Sequence, residues 1–177
     1  MIQVTKRVRH IFTVEEYMGL QLAGRTELVE GTVYDVSPRN DPHRFAVNFL
    51  TKTLQIALPN LTVQAQDAVF IDGWKGKNAP EPDIAVVQDQ ARQHPTAETT
   101  LVIIEVSDTT LQDDRSKVEL YTMAGIPSFI VNIRGQIVEE YAAGSVTEPQ
   151  AHLLGGSFEA LGIIIHVDDL FEKDLRK

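Results

Sequence analysis

The chain has 177 residues, enough to bury roughly two-thirds of its unfolded surface, and reads most economically as one domain over residues 1–177. It has no cysteine, which excludes disulfides, thiolate metal sites and cysteine nucleophiles and leaves any metal to oxygen or imidazole ligands. A formal charge of −9, from 25 acidic against 16 basic residues, argues against a non-specific nucleic-acid binder. It does not exclude an enzyme acting on nucleic acid, because carboxylates that hold a divalent cation also count as negative.

The start, "MIQVTKRVRHIF", lacks the apolar stretch of a secretory signal, and no run approaches the roughly 18 apolar residues needed to cross a bilayer. The expectation is a cytoplasmic protein with no membrane partner. The segment "TVEEYMGLQL" is a predicted helix: Thr13 and Glu16 have capping-box spacing, and Gly24 marks its end. "TELVEGTVYDV" alternates about Gly31 as a hairpin does. In "DPHRFAVNFLTKTLQIAL", Asp41 is the expected N-cap, Pro42 fits the first helical position, and Phe45, Phe49, Leu50, Leu54 and Ala57 recur at helical spacing. Predicted strands follow at "LTVQAQDAVFI", "PDIAVV" and "LVIIEV", with the loop "DGWKGKNAPE" after the first. The segment "DDRSKVELYTMAG" is a helix stopped by Gly125 and Pro127, and strands at "SFIVNI", "GQIVEEYA" and "LGIIIHV" precede a short closing helix near "DDLFEK". This order implies an α/β or α+β fold with a mixed sheet.

Two carboxylates stand out. Asp83 opens one apolar strand, and Glu105 sits near the far end of the next, on the face it shares with Leu101 and Ile103. An ionised glutamate there is costly unless it is paired. If the two strands are antiparallel neighbours, the start of one lies beside the end of the other and the carboxylates converge. Such a pair suits a hard divalent cation such as Mg²⁺.

These residues carry a resemblance. A proline and an aspartate opening a strand, then a glutamate inside the next, resembles the PD-(D/E)xK nuclease superfamily. The stretches "TELVEGTVYDVSPRNDPH", "PEPDIAVV" and "LVIIEVSDTTLQDDRSKVELYTMAGIPSFIVNI" resemble more narrowly the bacterial Uma-two family of restriction-endonuclease-like proteins. Its members share an E-L-hydrophobic-acid-G hairpin, a histidine opening the next helix, the PD strand, an E-V-S strand end and a D-x-x-x-K-x-x-x-Y helix.

The resemblance covers roughly Thr13 to Asn132 and implies a mixed sheet flanked by helices, with an N-terminal helix and hairpin. It implies Asp83, Glu105, Glu27 and the Val106 backbone carbonyl as ligands of Mg²⁺ or Mn²⁺, and Lys117 as the catalytic lysine. It places His43, Tyr121 and Ser107 beside the ligands or the substrate. The implied activity is hydrolysis of phosphodiester bonds in DNA, and a homodimer follows by analogy with nucleases that cut both strands. One departure matters: Ser107 stands where the superfamily has its lysine. Two others are Thr32, where a second glutamate is frequent, and the absence of the usual tryptophan in "PSFIVNI".

Each residue also has an ordinary explanation. Pro-Asp is turn chemistry, and Lys117 follows Asp113 by four positions and Asp114 by three, as in a helix-surface ion pair. Glu27, Glu105 and His43 could each be surface groups; their order and spacing in combination favour a site. The sequence has no G-x-S-x-G and no zinc-type histidine pair among His10, His43, His94, His152 and His166, and "GWKGKN" lacks P-loop spacing. The alternative is a nuclease-fold protein that no longer cuts and serves as a binding or regulatory module. Substrate type and recognition sequence are not legible.

Overall fold

Strands β4 (Ile84–Gln88) and β5 (Thr100–Ser107) form the centre of the molecule, and both are buried along nearly their whole length. The computed structural model describes residues 9–36, 40–88, 94–144 and 148–171. Its main sheet has six strands in the order β3-β4-β5-β6-β7-β8, with β3 at Leu61–Gln64, β6 at Ser128–Asn132, β7 at Ile137–Tyr141 and β8 at Gln150–His152. Every neighbouring pair is antiparallel except β5 and β6, which run parallel. Their connection is the helix α3 (Leu111–Met123), which packs back on both.

The alternation along β5 divides the core. Val102, Ile104 and Val106 pack toward Ala46, Val47, Leu50 and Leu54 of helix α2 (Asp41–Ala57). Ile103 packs on the other face with Val118 and Tyr121 of α3. A smaller core under helix α1 (Val14–Met18) gathers Val14, Leu28, Phe70 and Ala79 beside the hairpin β1 (Thr26–Val29) and β2 (Thr32–Asp35). Gly31 turns that hairpin at φ 73°, and a Cβ there would collide with the Ile11 side chain, so the turn needs glycine twice over.

The architecture agrees with the expected mixed sheet between helices, and several boundaries differ for identifiable reasons. The Thr13–Glu16 capping box is present, but α1 ends at Gly19 rather than near Gly24. The cap of α2 is Asn40, whose side chain accepts from the His43 N–H, and Asp41 is already helical. Phe45 and Ala57 lie on the solvent side of α2; the buried stripe is His43, Ala46, Val47, Leu50 and Leu54.

The long strand expected after α2 stops at Gln64. Gln66 adopts φ 65°, and residues 66–71 run beside a stretch containing Pro80 and Pro82, which have no N–H to donate. Bonds therefore pass one way only, from Gln66, Val69 and Ile71 to Pro82, Pro80 and Asn78. Strands β8 and β9 (Ser157–Ala160) were not expected; β8 has three residues, and β9 pairs only with β10 (Ile163–His166) in a hairpin bounded by glycines. The closing turn is a 3₁₀ helix at Val167–Leu170, and the rest of "DDLFEK" beyond Phe171 lies outside the described residues. Among the described residues no helix is long and apolar enough to cross a membrane.

The α2 stripe yields a contrast. Leu50→Ala should cost about 2–5 kcal/mol in denaturant unfolding, while Phe45→Ala, on the exposed side, should cost less than about 1 kcal/mol.

Candidate active site

The register of β4 and β5 decides where Asp83 lies. Ile84 pairs with Ile104, so the preceding residue, Asp83, comes opposite Glu105 at the end of the ladder. There the two residues cap each other's strands: the Asp83 N–H donates to Glu105 Oε2 at 3.1 Å, and the Val106 N–H donates to Asp83 Oδ2 at 2.9 Å. In β5 the odd-numbered backbone groups serve β6, as in the bonds Ile103 N–H to Pro127 O and Ser107 O to Ile133 N–H. Val106 therefore turns its backbone the other way, and its carbonyl points past the end of β4 on the side where Asp83 sits.

Glu105 is 1 % exposed, and its carboxyl is pushed up to about 8. Burial is the main cause; the Lys117 charge opposes it, and the nearby charges of Asp83 and Asp114 add to it. Oε1 accepts from the Tyr121 hydroxyl at 2.9 Å and lies 3.0 Å from Lys117 Nζ. Tyr121 is itself fully buried, and burial together with the adjacent Glu105 charge holds its phenol well above the usual range.

Lys117 reaches this point because Lys117 and Tyr121 are one turn apart on the face of α3 that packs on β5. Its side chain is 13 % exposed, and Nζ also lies 3.6 Å from Glu27 Oε2 and 3.7 Å from Asp114 Oδ1. Burial alone would lower its pKa, but the charges of Glu105, Glu27 and Asp114 outweigh that and hold the ammonium above its ordinary value. Ser107 is fully buried beside Asp114, one pleat beyond Glu105 on the same face. The helix thus delivers the ammonium that position 107 lacks.

Glu27 comes from β1, and its Oε2 also accepts from the Glu81 N–H at 3.2 Å. His43, in the first turn of α2, places Nε2 3.0 Å from Asp83 Oδ2. The expected residues Asp83, Glu105, Lys117 and Glu27 are thus together, with His43 and Tyr121 touching them.

Asp114 is the member that sequence reasoning missed, having been read only as a surface partner of Lys117. It is buried, bonded to the Thr110 hydroxyl at 2.7 Å, and its carboxyl is raised chiefly by burial. Spacing to Lys117 does not single it out, because Asp113 at i,i+4 is as good a helical neighbour as Asp114 at i,i+3 and yet is exposed; the packing of α3 on the sheet decides between them. Asn40 and Asp108 were missed too: Asn40 caps α2 and bonds Asp108, which Arg134 holds at 3.0 Å.

These groups open on a cleft of about 880 Å³. Its wall carries Glu27, Glu30, Asp35, Glu81, Asp83, Glu105, Asp108, Asp113, Asp114 and Glu119 against Lys117 and His43. Among the described residues no three acids or histidines stand in ligand geometry about one point; Lys117 and backbone N–H groups engage oxygens of Glu27 and Glu105. The donors themselves, carboxylates of Asp83, Glu105 and Glu27 with a backbone carbonyl beside them, are all oxygen and fit a hard cation such as Mg²⁺ or Mn²⁺.

A crystal structure from Anabaena variabilis ATCC 29413, described as a "putative nuclease belonging to DUF820", has the same fold with a TM-score of 0.75. The match covers 90 % of this chain and 97 % of that one at 12 % sequence identity. No curated protein matches the sequence. The family model Uma2, described as "Putative restriction endonuclease", matches residues 14–161, which span both strands, the hairpin acid and the helix of Lys117. With most of its length matched in this way, the chain belongs to the Uma2 family.

Proposed function

We propose that the chain is a nuclease that hydrolyses phosphodiester bonds of DNA, with Mg²⁺ or Mn²⁺ held by Asp83, Glu105, Glu27 and the Val106 carbonyl. The observation that carries this reading is the Lys117 ammonium, delivered by α3 to within 3.0 Å of Glu105 although position 107 is a serine. A bound cation would supply Lewis-acid polarisation of the phosphoryl group and offset the charge of the acids.

The chain's own residues supply the rest. Lys117 keeps its proton at Nζ, so it acts as a fixed positive charge and donor for the developing charge on phosphoryl oxygens rather than as a base. Tyr121 and the Asp83 N–H orient Glu105, while His43 and the Val106 N–H orient Asp83. The alternative, an inert binding module, is motivated by the acidic surface and the missing lysine at 107; the position of Lys117 weakens the second motive and leaves the first. On the nuclease reading the protein works in the cytoplasm as a homodimer, one copy for each strand.

The direct test is cleavage of varied DNA with Mg²⁺ or Mn²⁺. Glu105→Gln and Lys117→Met should each lose on the order of 100-fold or more in rate, with EDTA abolishing cleavage. Unchanged rates in both variants, or no cleavage with any metal, would sink the reading.

The raised Glu105 pKa gives a second test. Its neutral form is favoured by the fold up to about 8 against an ordinary 4.5. In the metal-free protein its stabilising contribution is therefore complete below about pH 4.5 and is lost as the pH rises through about 8. Glu105→Gln should remove that slope in unfolding measured across the range. A cation must displace the same proton, so Mn²⁺ affinity measured by calorimetry should fall about tenfold per pH unit below about 8 and level off above it.

A further inference from the structure

The cleft poses an electrostatic problem for a polyanionic strand, because its wall is almost entirely acidic. Charge that could hold the strand must come from elsewhere. One loop outside the cleft combines exposed positive charge with an exposed aromatic ring: "DGWKGKN", residues 72–78. Trp74 is 52 % exposed although its ring meets the buried Phe70 edge-on at 5.1 Å, and Phe70 in turn stacks on His94 at 4.6 Å. Lys75 and Lys77 follow it in the loop, both exposed and neither in an ion pair among the described residues.

The loop is held in shape from within. The Asp72 carboxylate accepts from the Lys77 N–H at 2.9 Å and from the Asn78 N–H and side-chain amide at 3.0 Å, so its charge is turned onto the backbone rather than toward the lysines. The N–H groups of Val14 and Glu15 bond the Gly76 and Trp74 carbonyls, tying the loop to α1. A large apolar ring kept half in water on a loop tied to α1, with two exposed lysines following it in the same loop, meets the requirements of a stacking platform: a π-face for a base and cations for neighbouring phosphates.

We propose that Trp74, Lys75 and Lys77 hold an unpaired flank of the nucleic-acid strand whose phosphodiester enters the cleft; the identity of this occupant rests on the nuclease reading. The geometry links the two places. The arm from Lys77 to Asp83 is six residues long and runs extended along the hairpin, through the bonds of Gly31 with Lys77 and Leu28 with Ala79. It spans at most about 20 Å. The same hairpin supplies Glu27 to the site, so the platform and the reacting centre share one rigid element.

The test uses Trp74 itself, the only tryptophan in the chain, as the reporter. The full-length protein in EDTA, where a metal-dependent enzyme does not cut, is titrated with single-stranded oligonucleotides and with blunt duplex of the same length. Single strands should quench the tryptophan emission more strongly than duplex. By anisotropy of a labelled oligonucleotide, Trp74→Ala should weaken binding roughly tenfold, and Lys75→Glu with Lys77→Glu should weaken it at least as much and lower the salt slope by about two. Melting of each variant is followed alongside; the lysine changes should leave it unchanged, and Trp74→Ala, which loses the ring contact with Phe70, should lower it slightly with the fold retained.

Unquenched emission together with undiminished binding by both variants overturns the proposal even if the protein cuts DNA with metal. Quenching with no cleavage under any metal leaves the strand site standing and removes the nuclease reading instead.

Discussion

A carboxylate buried to 1 % exposure cannot be left to itself, and the centre of this molecule is arranged around that constraint. Glu105 receives three donors from two other elements: the backbone N–H of Asp83, the hydroxyl of Tyr121 and the ammonium of Lys117. The first requires the antiparallel register of β4 and β5, and the other two require α3 to lie across β5 with one particular face down. Burial still outweighs these partners, since the carboxyl remains raised. The fold therefore favours the neutral carboxyl, and a divalent cation, with twice the charge of an ammonium, would have to take the place of its proton.

The same economy extends outward from Asp83. His43 and the Val106 N–H both bond Oδ2, and His43 is placed by the cap that Asn40 makes on α2. Asn40 also bonds Asp108 at the end of β5, and Arg134 from the turn after β6 holds Asp108. The N-terminus of α2 is thus pinned to the carboxyl end of the parallel strand pair, and the packing of Leu50 and Leu54 on Ile104 keeps the rest of the helix in place.

Lysine placement shows how two elements can offer an ammonium to the same carboxylate. Positions 107 and 117 are ten residues apart, yet both lie on the side of β5 that α3 covers. A side chain four carbons long on the helix reaches the same carboxylate that a strand lysine two residues after Glu105 would reach. What the helix adds is Asp114, three residues before Lys117, which gives the ammonium a further carboxylate neighbour beside the proposed ligands.

Much of this was legible in the amino-acid order. The alternation around Gly31, the apolar runs of β4 and β5 and the stops at Gly125 and Pro127 identify elements, because local periodicity and backbone restriction act within a few residues. The spacing of Glu27, Asp83, Glu105 and Lys117 identified the candidate site, through its resemblance to the family pattern. Pairing was not legible. Pro80 and Pro82 end a strand in a neighbour some fifteen residues earlier, by failing to donate to it, and no local pattern near Gln66 announces that. Phe45 reads as core by type and spacing and is exposed, because the rotation of α2 is set by what it packs on. Asp114 differs from Asp113 only in direction, and direction is decided by the contact of α3 with the sheet. Composition and order determined which groups this protein possesses; the register of two strands and the roll of two helices decided which of them meet, since those depend on free energies summed over the whole core.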